Sequence, residues 1–95
     1  MRARRLEVVD AYVEDGRAAV YSTRGMVILL SELATTAWSV LGDERWTSSD
    51  DVTARLVAVH GHPGEGEAVR LTEHALRSLA ELSLVEVDDS ESNAG

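Results

Sequence analysis

The side chains able to do chemistry in this chain are few, and their spacing suits little of it. His60-Gly61-His62 brings two imidazoles within two residues, which could begin a metal site. The chain contains no Cys, and no carboxylate stands at ligand spacing to complete a ligand set. The pair therefore reads as a solvated helix end, and no metal is expected. His74 falls on the polar side of a helical stretch and reads as exposed. Asp50-Asp51 lies in a first helical turn, where carboxylates are favoured by the helix dipole. No nucleophile elbow, phosphate loop or paired His–carboxylate motif occurs. The expectation is a protein that is not an enzyme and needs no cofactor.

What remains is cationic recognition. All nine basic residues are Arg, and each carries a planar fork suited to carboxylates. Arg70 and Arg77 stand out because they recur on one side of a helical stretch. The overall balance is acidic, with a formal net charge of -8. A DNA reader draws most of its affinity from phosphate contacts made by a cationic face. A DNA-binding winged helix or transcriptional adaptor is thus an alternative that the order of elements permits and the charge opposes.

These residues must be positioned by one small domain. An apolar fraction of 44% without Phe supports a modest aliphatic core. Leu6 to Val13 and Arg17 to Ser22 are partly alternating and β-branched, and Asp15-Gly16 between them is a strong hairpin signal. Arg24-Gly25 turns the chain again into Met26-Val27-Ile28-Leu29-Leu30, a run apolar on both faces. Ser31 is the expected N-cap of a first helix with a stripe of Ala34, Ala37, Trp38 and Leu41. Gly42 is its expected C′ residue. Thr47-Ser48-Ser49 offers caps for a second helix burying Val52, Leu56 and Val59 and stopping near Gly61. A third helix, from Glu67 to about Ser83, carries one stripe of Ala68, Leu71, Ala75, Leu79 and Leu82. Val69, Leu76 and Ala80 form a second stripe beside it. Trp38 reads as core; Trp46 either caps the core or marks a contact surface. Leu84-Val85-Glu86-Val87 is a strand-like end.

The basic N-terminus leads into a segment too short and too charged for a signal core, and no run approaches the length of a membrane span. The expectation is a cytoplasmic, α+β, winged-helix-like domain over 1–87. It would hold a three-stranded antiparallel sheet followed by three helices, with 88–95 as a disordered acidic tail. Its third strand can leave an open edge, a template for another strand. The spare stripe of the third helix would floor a groove beside that edge, rimmed by Arg70 and Arg77.

The chain resembles the PqqD-like family, the recognition elements for precursors of ribosomally synthesised and post-translationally modified peptides (RiPPs). That family includes the stand-alone leader-binding proteins of lasso peptide pathways. The resemblance rests on Met26-Val27-Ile28-Leu29-Leu30-Ser31-Glu32-Leu33-Ala34, then Ala37-Trp38 and Leu41-Gly42-Asp43, and Thr47 leading into the second helix. It closes with Leu79-Ala80-Glu81-Leu82-Ser83-Leu84-Val85, where Ser83 stands at a position commonly Gly. It spans about Leu6 to Val87. It implies a non-catalytic module that binds a leader peptide as an added strand and presents it to a modifying enzyme or leader peptidase. By position, Met26, Val27, Ile28 and Leu29 would offer the edge. Arg70, Glu73, His74, Leu76, Arg77 and Ala80 would line the helix side. Ile28→Pro is expected to delete an edge donor. No nucleic acid or membrane partner is expected, and an unoccupied edge can also pair with a copy of itself as a weak homodimer.

Overall fold

The computed structural model describes residues 1–43, 45–64 and 66–89. Its first hairpin joins β2 (Val8–Glu14) to β3 (Arg17–Ser22). Asp15 and Gly16 both take positive φ, 53° and 78°, the pairing that a tight two-residue turn between twisted strands requires. A second turn, in which Gly25 N–H donates to the Ser22 carbonyl, leads into β4 (Val27–Leu29). The sheet order is β2-β3-β4, antiparallel throughout.

Three helices follow. Helix α1 (Glu32–Val40) is capped by Ser31, whose side chain accepts from Ala34 N–H. Helix α2 (Ser49–His60) is capped in the same way by Ser48 and ends at Gly61, with φ 88°. Helix α3 (Glu67–Glu81) is the longest. The fold is therefore α+β, but it holds a second sheet that the pattern of the chain did not suggest. There β1 (Arg2–Arg5) lies between β5 (Thr47–Ser48) and β6 (Val85–Asp88). Ala3 is fully buried, while Arg2 and Arg4 point away from the core. Their guanidinium groups bond Asp88 at 2.7 Å and Glu86 at 2.9 Å, and both stack on Trp46, 4.6 and 4.7 Å from the ring centroid. Trp46 thus braces the sheet that joins the two ends of the chain. Strand β6 runs through Asp88, one residue into the stretch expected as a tail; residues 90–95 lie outside the described residues.

The core gathers Val20, Ile28 and Leu30 from the first sheet with Trp38, Leu56, Leu76, Leu79 and Leu84. Two assignments of buried faces are corrected. Val59 is exposed rather than core, because α2 buries only Val52 and Leu56. In α3 the buried set is Thr72, Ala75, Leu76 and Leu79. The two apolar stripes expected there merge into one core face, which leaves Val69, Leu71 and Leu82 exposed.

Helix ends show how local chemistry is supplied from afar. Gly42 does not take positive φ. Instead Arg5 reaches the end of α1, its Nε donating to the Trp38 carbonyl at 3.0 Å and its terminal nitrogen to the Ser39 carbonyl at 3.1 Å. A cation placed there also complements the negative end of the helix. At the end of α3, Ser83 N–H donates to the Ala80 carbonyl and Leu84 N–H to the Leu79 carbonyl. This is the Schellman arrangement, with buried Leu84 packing back toward Leu79. Ser83 sits in it at φ 63°, so a side chain occupies the position that glycine fills without strain.

Two stability predictions follow from these contacts. Ser83→Gly should stabilise the protein by about 1 kcal/mol in urea unfolding, by relieving left-handed strain. Thr35 is buried, and its Oγ1 accepts the Ala18 N–H at 2.9 Å. Thr35→Val should cost about 1–3 kcal/mol by leaving that donor unsatisfied, whereas Thr35→Ser should retain the bond.

Candidate functional site

The register of β4 decides which of its groups are available. Strand β4 pairs with β3 as Ala19↔Leu29, Val20↔Ile28 and Tyr21↔Val27. Leu30 N–H donates to the Ala18 carbonyl and Ser22 N–H to the Met26 carbonyl, each at 2.8 Å. Bonded and non-bonded pairs alternate along an antiparallel ladder. Ile28 is therefore bonded to Val20 within the sheet. The N–H and C=O groups of Val27 and Leu29 point outward from the open edge of β4. The side chains alternate with the same period: Ile28 is 8% exposed, Val27 66% and Leu29 72%. The expectation for Ile28 is thus corrected, since its amide belongs to the ladder and its side chain to the core. The edge donors are Val27 and Leu29.

The opposite edge of this sheet is guarded. Ala18 and Val20 direct their polar groups toward β4, so Ala11 and Val13, paired opposite them on β2, direct theirs outward. Ala11 N–H is already taken by Asp10 Oδ1 at 2.8 Å, and the pairing shifts between Val8 and Asp10. A bulge and a local carboxylate are devices that blunt a strand edge. Strand β4 has neither.

The centre of the sheet's outer face is apolar, with Asp10, Glu14 and Arg17 at its margin. Tyr12, Tyr21, Val27 and Leu29 surround Ala19, and shallow depressions open on either side of that small residue. Tyr12, Ala19 and Tyr21 were not among the expected site residues. The alternation of Ala19 and Tyr21 with the buried Ala18 and Val20 was the signal that could have found those two, and Tyr12 joins them only through its pairing with Ala19. Met26, also exposed, precedes the strand.

The helix side of the expected site is arranged differently. Leu76 is fully buried and cannot meet a ligand. Arg70, His74 and Arg77 lie on the face of α3 opposite the core, and Glu73 and Ala80 are half-buried on one flank. Arg70, Glu73 and His74 share a shallow depression with Glu67 and Leu71. Each arginine already has a carboxylate: Arg70 meets Glu67 at 3.3 Å and Arg77 meets Asp89 at 3.4 Å. Helix α3 packs chiefly on α1, α2 and β6, and β4 on β3. The depression that Arg70, Glu73 and His74 line includes no residue of β4, and the depressions beside Val27 and Leu29 include none of α3.

The histidines do not assemble a metal site. His60 Nε2 lies 2.8 Å from Thr36 Oγ1. His62 lines an apolar pocket between the helices with Leu33, Leu56 and Leu71. Among the described residues no group of three or more His, Cys, Asp or Glu could hold a metal ion. No helix among them is long and apolar enough to cross a membrane.

No protein-family model matches this chain, and no curated protein or solved structure matches it either.

The edge assignment has a direct test by hydrogen exchange and proline substitution. In dilute protein, the amides of Val27 and Leu29 should exchange at least about tenfold faster than those of Ile28 and Leu30. Leu29→Pro should leave the fold intact, because it removes an amide that bonds nothing within the sheet. Ile28→Pro should unfold the domain. Equal protection of all four amides would refute the assignment.

Proposed function

We propose that this protein is a non-catalytic, winged-helix-like recognition element. It would bind the leader region of a ribosomally synthesised precursor peptide by strand addition. The observation that carries the reading is the contrast between the two edges of the first sheet. The edge of β2 is bulged and capped by Asp10, whereas β4 presents the N–H and C=O groups of Val27 and Leu29 without a guard.

A leader strand would bond to those groups and set its alternate side chains beside Val27 and Leu29 on the outer face. Backbone bonds supply affinity in this mode, and the side chains beside the edge supply register. Arg70 and Arg77 keep N–H donors beyond the single bonds they make to Glu67 and Asp89, so each can pair a leader carboxylate that reaches it. The domain itself does no chemistry. By holding the leader it raises the effective concentration of the attached core peptide at a modifying enzyme or leader peptidase. The resemblance of Met26–Ala34 and Leu79–Val85 to the PqqD-like family supports the same reading and a cytoplasmic setting.

The test is a titration of isotope-labelled protein with the leader of the precursor peptide encoded beside its gene. Micromolar binding should shift the Val27 and Leu29 amides most, and Leu29→Pro should weaken binding at least about tenfold, the loss of roughly one or two hydrogen bonds. Binding that leaves those amides unmoved, or no binding at all, would overturn the reading.

A further inference from the structure

We infer that the open edge of β4 is also a self-association surface, on which a second copy of the chain pairs antiparallel and masks the peptide site. This inference rests on the same edge as the proposed function, but it concerns a different occupant.

The first support is electrostatic. Two chains of net charge -8 repel each other at most approaches. Self-pairing through β2 would bring together the acidic Asp10 and Glu14. The run Met26-Val27-Ile28-Leu29-Leu30 carries no charge, so two copies can meet there without opposing like charges, which destabilise a strand pair. The run is also flanked by opposite signs, Arg24 before it and Glu32 after it. Antiparallel pairing brings the positive end of each copy to the negative end of the other. Both residues are exposed, and neither has an ion-pair partner among the described residues. Glu32 now rests beside the Gly16 turn, from which its flexible side chain would swing.

The second support is symmetry. The two outward-facing residues of β4 are separated by Ile28. A two-fold axis at Ile28 therefore pairs Val27 of each copy with Leu29 of the other. All the outward N–H and C=O groups of both residues are then satisfied at once, and the two sheets become one continuous sheet. Across each bonded pair the exposed Val27 and Leu29 side chains meet on the outer face. A contact this small makes a weak dimer, with a dissociation constant on the order of 0.1–1 mM. The leader would then have to compete with the second copy, so apparent leader affinity would fall as protein concentration rises.

Sedimentation and amide shifts of the peptide-free protein, followed from about 10 µM to about 2 mM, test this across the expected range. Dimer should form with concentration-dependent shifts centred on Val27 and Leu29, and Leu29→Pro should abolish both while the fold persists. Arg24→Glu or Glu32→Arg alone should weaken the dimer several-fold, and the double exchange should restore it. That restoration is a readout that a change in helix stability would not produce. A protein that stays monomeric throughout, or a dimer indifferent to Leu29→Pro, overturns the inference. If the monomer still binds leader at these amides, peptide capture stands without self-association. A dimer through β4 that binds no leader gives the reverse.

Discussion

Ala18 is the point on which the arrangement turns. Its carbonyl accepts the Leu30 N–H at 2.8 Å and its own N–H donates to Thr35 Oγ1 at 2.9 Å. The residue is 1% exposed, so neither of its polar groups has water as an easy alternative. One bond sets the parity of the β3–β4 ladder, and the other ties that ladder to α1. Because strand geometry has a period of two, the parity is all-or-none. A slip of one residue would turn Ile28 and Leu30 out of the core. It would also exchange the amides that face the edge.

That parity joins stability to the proposed recognition. The groups free to bind a strand are those the core does not use, and they alternate with Ile28 and Leu30, whose side chains anchor the strand to the core. Such an edge can be rigid before any ligand arrives, which lowers the ordering cost of binding. The same rigidity makes the edge hazardous, since an unguarded strand recruits any compatible partner. On β2 the hazard is met by Asp10 and a bulge. On β4 it is left open, in a chain whose acidity disfavours most other self-contacts.

The second sheet holds the ends of the chain. Ala3 and Val85 enter the core, while Arg2 and Arg4 lie between the Trp46 ring and the carboxylates of β6. Arg5, the next residue, closes α1 and also stacks over Trp38 at 4.3 Å from the ring centroid. The indole nitrogen of Trp38 is buried without a hydrogen-bond partner, so the ring is held by packing and by this cation. A short basic segment, unremarkable in isolation, thus secures both the terminal strand and a helix end.

The chain by itself determined what local chemistry can specify. The hairpin turns at Asp15-Gly16 and Gly25 and the Ser31 and Ser48 caps follow from backbone preferences within a few residues. So does the stop at Gly61, and so does the uncharged run Met26 to Leu30. The tertiary structure alone decided the pairing of β1 with β6, whose partners lie 80 to 86 residues apart. The alternation of Arg2 and Arg4 against Glu86 and Asp88 was its only trace. It also decided that Arg5, rather than Gly42, completes α1, and that Leu76 belongs to the core. Helical periodicity places Leu76 on an apolar flank, but only the packing of α3 against its neighbours shows which flank is covered. The edge shows the same division. A run apolar on both faces signals a strand, yet its register against β3 decides that Val27 and Leu29, not Ile28, hold the free hydrogen-bonding groups. Register is a property of two strands together, and no single segment contains it.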